Sequence, residues 1–245
     1  MGIPIIGCFC PICTSESPCN RRMRPSGLLT IGGKRLLIDC GPDFRTQALL
    51  HHIHALDGLL LTHAHHDHIA GIDELRVFYM RSKKPLPCLL SRPTLIDIQA
   101  RFPYIFEDPD DKEKIAARLT LHLLEDTHGT VEFLGIPFSY FSYEQVGMCV
   151  NGFRFEKFAY VSDIRTYADS IFLHLKGVQT LVLSALRMTP SLAHLSIDEA
   201  VAFANRVGAK QTWLTHVAHE LDHEKTNNYL PPHVRMAYDG LELSL

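Results

Sequence analysis

Residues 63 to 68 read His-Ala-His-His-Asp-His, placing four imidazoles and a carboxylate within six positions. Imidazole nitrogen and carboxylate oxygen are donors that divalent zinc, manganese and iron accept. The cluster follows Gly58-Leu-Leu-Leu61, a short apolar run of the kind that forms a buried strand. A tight loop at a strand end can aim several side chains at one point without breaking a helix. The expected local order is strand, ligand loop, helix, and the expected chemistry is metal binding. A solvated turn that happens to be rich in histidine is the competing reading.

A second set of donors is Cys8-Phe-Cys10-Pro-Ile-Cys13. Three thiols in six positions reach one ion only if the chain wraps around it, and structural zinc wants a fourth ligand to close the tetrahedron. Cys19 is near in sequence, and His219 is a distant candidate. Pro11 stiffens the knuckle, while Arg21, Arg22 and Arg24 favour thiolate over thiol. Buried or redox-active thiols are the alternative.

These clusters need a scaffold to position them. The 245 residues, 46% of them apolar, suffice for one globular domain over 1–245, with a Cys-rich knuckle at about 7–26. A net charge of -3 supplies no basic field for nucleic acid. No apolar run approaches the roughly 20 residues that span a bilayer. The first residues carry neither a basic leader nor a long apolar core, and Ile6 stands where a myristoylation motif wants Ser or Thr. Seven cysteines, an odd number, argue against a closed disulfide framework, so a cytoplasmic setting is expected.

Gly32-Gly33 should turn a hairpin between strands at 27–31 and 34–39. A short helix is expected at 44–51, a strand at 59–61, and helices at 73–80 and 95–102 around a strand at 85–90. The charged segment 107–114 reads as a solvated loop. Further strands are expected at 135–143, 150–155, 158–162, 181–183 and 211–215. Ser196-Ile-Asp-Glu199 is a capping box opening a helix to about residue 207. The alternation of helices and strands predicts an α/β layered domain.

Taken together, the two clusters resemble a known family. His-x-His-x-Asp-His is the metal motif of the metallo-β-lactamase superfamily. Gly7-Cys-Phe-Cys-Pro-Ile-Cys-Thr-Ser15, followed by Arg21-Arg-Met-Arg-Pro-Ser26, is similar to its phosphoribosyl cyclic phosphate phosphodiesterase branch. The similarity continues at Leu37-Ile-Asp-Cys-Gly-Pro-Asp-Phe-Arg45, Ala159-Tyr-Val-Ser-Asp163, Leu183-Ser-Ala-Leu-Arg187, Leu214-Thr-His-Val-Ala-His219 and Ala237-Tyr-Asp-Gly240. The resemblance implies a four-layer αββα sandwich with two divalent metals, zinc, manganese or iron, at strand ends. By motif His63 and His65 hold the first metal, Asp67, His68 and His216 the second, and Asp163 bridges them. His194 is implied to face the substrate, and pairing as a homodimer is expected by analogy. His51, His52 and His54 read as ordinary surface or lining residues. If His216 points into the site from a strand end, His219 begins a helix and faces elsewhere. It can then serve as fourth ligand of a structural zinc held by Cys8, Cys10 and Cys13. Cys19, beyond Ser15-Glu-Ser-Pro18, lies on a departing loop.

One departure from the family pattern concerns a further metal-binding histidine after the strand near 137–142. Here the chain offers Tyr143-Glu-Gln-Val-Gly147, and Gln145 falls nearest the expected place, with Glu144 as a carboxylate that could swing in. A glutamine carbonyl binds zinc less well than imidazole and suits harder ions such as manganese, so the first metal position should be the weaker. The leading expectation is hydrolysis of a small cyclic or nucleotide-like phosphodiester through a metal-bound hydroxide, with Asp67 as ligand or proton shuttle and His194 donating to phosphate or leaving group. A metal-dependent binding or carrier protein with an incomplete site is the alternative, and a tRNA 3′-processing type of nuclease is a further one.

Overall fold

A computed structural model of the chain describes residues 2–107 and 115–244, so the charged segment 108–114 lies outside the described residues. The chain divides into two compact units. One comprises Arg24–Thr127 and Glu132–Ile136, and the other Met1–Met23, His128–Val131 and Pro137–Leu245.

The first unit opens with the expected hairpin, β1 (Gly27–Ile31) and β2 (Lys34–Ile38). Gly32 and Gly33 sit at φ 54° and 74°, the left-handed pair that suits a two-residue turn between twisted strands. Then come α1 (Phe44–Leu50), β3 (Gly58–Leu60) and the single turn α2 (His66–Ile69). The helix expected at 73–80 begins instead as a tighter 3-10 turn, Ile72–Leu75, before α3 (Arg76–Ser82). It is followed by β4 (Leu86–Ser91), α4 (Arg92–Arg101), α5 (Pro103–Phe106) and β5 (Leu119–Leu124). Among the described residues this sheet has the order β1-β2-β3-β4-β5, parallel from β2 onward. Leu37, Phe44, Leu59, Leu61, Ile69 and Ile98 are part of its core.

The second sheet uses β6 (His128–Phe133), β7 (Ile136–Gln145), β8 (Met148–Phe155), β9 (Phe158–Val161), β10 (Thr180–Ser184), β11 (Gln211–Thr215) and β12 (Val234–Met236). Their order is β12-β11-β10-β9-β8-β7-β6 among the described residues. The strands from β9 to β12 are parallel, whereas β7, β8 and β9 pair antiparallel. The helices are α6 (Ile171–His174), α7 (Ile197–Val207) and α8 (His223–Tyr229). The capping box forms as its sequence predicts, since Ser196 Oγ accepts from the Glu199 N–H and Glu199 accepts from the Ser196 N–H. Ile197, Ala200, Phe203 and Ala204 form the buried stripe of α7, and Gly208 closes it at φ 72°.

Candidate metal centres

In the first unit the parallel register sets Ile38 opposite Leu60, so the residues after β2 and β3 emerge side by side. Asp39 is fully buried there at φ 62°. One of its oxygens accepts the Thr62 N–H at 2.8 Å; the other accepts the Thr62 hydroxyl at 2.8 Å and faces His68 Nδ1 at 2.7 Å. A carboxylate on Nδ1 fixes the tautomer and presents Nε2 for coordination. The same hydroxyl lies 2.9 Å from His63 Nδ1. Its single proton goes to Asp39, so His63 Nδ1 is the donor to it and His63 Nε2 carries the lone pair. His65 Nδ1 is 3.0 Å from that Nε2, and Asp67 Oδ2 is 4.0 Å from His68 Nε2. The four expected ligands of this loop, His63, His65, Asp67 and His68, are thus brought together, while His66 is exposed. Nitrogen and oxygen donors with lone pairs fixed in this way fit a borderline divalent ion.

The loop is held by its own backbone. The Cys40 N–H donates to His68 O at 2.7 Å, and the Gly71 N–H to Cys40 O at 2.8 Å. A β-carbon on Gly41 would stand 2.2 Å from the Asp67 carbonyl oxygen, and one on Gly71 2.1 Å from that of Gly41. Only glycine permits these approaches. Asp39 and Thr62 were not singled out from the sequence; the available signal was a carboxylate directly after an apolar strand beside the one feeding the ligand loop.

The second unit brings together a further set. Leu183 of β10 pairs with Val161 on one side and Leu214 on the other. Two residues further on, Asp163 and His216 reach the same level beyond the strand ends, flanking Ala185. Both have left-handed backbone, φ 55° and 60°, a conformation costing about 1–3 kcal/mol that persists where the surroundings enforce it. Asp163 Oδ1 lies 3.0 Å from His194 Nδ1 and 3.3 Å from His216 Nε2, and Ser162 Oγ donates to Oδ2 at 3.3 Å. The two imidazoles stack with centroids 4.6 Å apart. Gln145 ends β7 in a buried position, its Nε2 3.1 Å from the ring nitrogens of His194 and 3.5 Å from Asp163 Oδ1. Its buried Oε1 makes no hydrogen bond. Glu144 is exposed and hydrogen-bonds through its backbone to Thr166, so Gln145, not Glu144, reaches this cluster. One carboxylate and two imidazoles again fit a divalent cation, with the Gln145 amide beside them.

The knuckle also lies in the second unit. Cys8, Cys10 and Cys13 Sγ stand 3.3, 3.5 and 3.5 Å from His219 Nδ1. Zinc–sulfur and zinc–nitrogen bonds at a tetrahedral angle put such atoms about 3.6 Å apart, so the set fits structural zinc. The Cys13 N–H donating to Cys10 Sγ is the main cause holding that thiol down to about 6. Cys19 is not part of the cluster, and neither are His51, His52 and His54, which are exposed.

Residues 34–217 match the family model of a beta-lactamase superfamily domain. The whole chain is similar to the crystal structure of a diphosphatase from the PhnP family, with a TM-score of 0.91 and 35% identity, covering 100% of this chain and 93% of that one. It is 32% identical to an octanoyltransferase of Porphyromonas gingivalis (strain ATCC BAA-308 / W83), covering 98% of this chain but 49% of that protein. The chain therefore spans about half the length of that relative. A 92-residue stretch, 36% of this chain and 31% of the other, is 36% identical to ribonuclease Z of Bradyrhizobium sp. (strain ORS 278). The chain belongs to the metallo-β-lactamase superfamily of metal-dependent hydrolases, within its PhnP branch. Its mixed α/β architecture with two sheets is the class expected from the sequence, and divalent-metal use comes with that membership. No helix among the described residues is long and apolar enough to cross a membrane.

Proposed function

We propose that the chain hydrolyses a small cyclic or nucleotide-like phosphodiester at two divalent metals. The family motif assigns His63, His65, Asp67 and His68 of the first unit and Asp163 and His216 of the second to these metals. The observation that carries this reading is a set of buried donors with orientations fixed by hydrogen bonds, in a chain 35% identical along its length to a diphosphatase. When bound, the metals supply positive charge for phosphoryl oxygens and acidify water. Asp39 and Thr62 hold His68 and His63 in their coordinating tautomers. Ser162 occupies one oxygen of Asp163 and turns the other toward the imidazoles. Asp67, with a side chain 29% exposed, is the carboxylate of the loop best placed to exchange a proton with water or a leaving oxygen. A structural zinc on Cys8, Cys10, Cys13 and His219 completes the proposal.

Turnover of bis(p-nitrophenyl) phosphate, cyclic nucleotides and nucleoside diphosphate derivatives with added manganese or zinc tests it. Metal-dependent cleavage of a phosphodiester supports the proposal, and its absence across the panel overturns it. The ribonuclease Z segment favours nuclease action as a second reading. The net charge of -3 weighs against a polyanionic substrate. Cleavage of a precursor-tRNA transcript faster than the small esters would reverse that order.

A further inference from the structure

We infer that His194 is itself a metal ligand, filling the coordination position left by Gln145, and that Gln145 orients it. This deepens the proposed reading and rests on it. The donor atoms of Asp163, His194 and His216 all lie within 4.8 Å of one another. Both imidazoles face the same oxygen of Asp163, at 3.0 and 3.3 Å, with the Gln145 amide nitrogen 3.5 Å from it. Three nitrogens therefore crowd one carboxylate oxygen, whereas a cation among them would be met by lone pairs from the rings. Gln145 is fixed at the end of β7 by pairing with Met148 across the Val146-Gly147 turn, and its amide reaches the ring of His194 at 3.1 Å. With the amide turned so that Oε1 accepts from His194 Nε2–H, the tip of residue 145 holds the ring and the Nδ1 lone pair is left for a cation.

The His194 segment is built to hold a ring in place. Ser191 Oγ accepts the His194 N–H at 3.0 Å and donates to the His194 carbonyl at 3.1 Å, while Leu195 is buried just before the cap of α7. The His194 side chain is largely buried against these partners. Imidazole is also the better zinc donor than a neutral amide oxygen.

The test measures metal rather than turnover. Full-length protein, His194→Ala and Gln145→Ala are loaded with cobalt(II), and retained metal, chelator competition and the visible cobalt spectrum are recorded. Thiolate charge-transfer bands report the knuckle separately from the nitrogen–oxygen site. His194→Ala is expected to weaken the nitrogen–oxygen site more than tenfold and change its spectrum; Gln145→Ala should weaken it by roughly 10-fold, as loss of an orienting partner does. Circular dichroism checks the fold, with His194→Gln used where the alanine variant does not fold. Unchanged metal affinity and spectrum with loss of turnover alone would return His194 to a substrate-facing role and overturn the inference, leaving the hydrolase reading intact. A wild-type protein that binds no cobalt outside the knuckle would overturn both.

Discussion

Asp39 shows how far the orientation of the proposed ligands rests on a residue outside the donor clusters. Its carboxylate holds the Thr62 hydroxyl and His68 at once, and through the hydroxyl it sets the tautomer of His63. Asp39→Asn keeps the volume but removes the charge that fixes Nδ1. Metal affinity of the histidine loop should drop by about 10- to 100-fold, measured by chelator competition; unchanged affinity would show the contact to be merely structural. Asp163→Ala and His216→Ala should strip bound metal while circular dichroism stays near that of the parent. Full metal retention in both would remove them from the ligand set. The histidine loop was legible in the sequence because its donors are neighbours in the chain. Asp39 was not, because its role arises from the register of β2 on β3.

At the scale of elements, the seam between the Asp39–Gly41 segment and the histidine loop leaves no room for a side chain. Gly41→Ala must push the Asp67 carbonyl away, and Gly71→Ala that of Gly41. Each should destabilise by about 1–3 kcal/mol as overpacking does, and each should lower metal affinity without altering any ligand. Denaturant titration with parallel metal binding checks this, and a Gly41→Ala protein with normal metal affinity would refute it. The knuckle offers a cleaner contrast. His219→Ala should lose zinc and melt earlier, whereas Cys19→Ser should change neither; the reverse pattern would move the fourth ligand to Cys19. Elements with strong signals were read correctly, the glycine hairpin and the capped α7 above all. β5 was missed although Leu119, Leu121 and Leu123 alternate with Thr120 and His122 as a half-buried strand does, while in β6 Gly129 breaks the pattern after His128. α8, His-Glu-Lys-Thr-Asn-Asn-Tyr, carries no apolar stripe for a helical period to reveal.

Across the molecule, the second unit ties its own sequence ends together through a polar lock. Arg22 donates to Ala237 O at 2.5 Å and lies 3.0 Å from His223 Nδ1, while the His223 N–H donates to Asn20 Oδ1 at 2.9 Å. Burial first, and the Arg22 guanidinium second, hold the His223 imidazole below its ordinary 6.5, against the weaker opposite pull of Glu224 and Asp222. The folded chain then takes up this proton less readily than the unfolded one. Stability from His223 is complete above about pH 6.5 and is lost as pH falls toward the folded value. Melting midpoints taken from about pH 7.5 to about 5 should decline on the acid side, and His223→Asn should flatten that decline. An identical slope in the variant would exclude His223 as the source. Long-range ties of this kind, joining residues 201 positions apart, leave no pattern in a local stretch of sequence.

The knuckle has a consequence in time. Cys13 and His219 are separated by 206 positions. A ribosome adding roughly 5–20 residues per second needs on the order of 10–40 s to travel from one to the other. Throughout that interval the nascent chain carries three cysteines without their histidine, exposed to oxidants and to whatever metal arrives first. His216 emerges only three residues before His219, so the last partner of the knuckle and a member of the Asp163 cluster leave the ribosome together. Loading of either proposed site therefore waits for residues 216 to 219, and cells short of zinc at that moment would accumulate protein whose knuckle is still open.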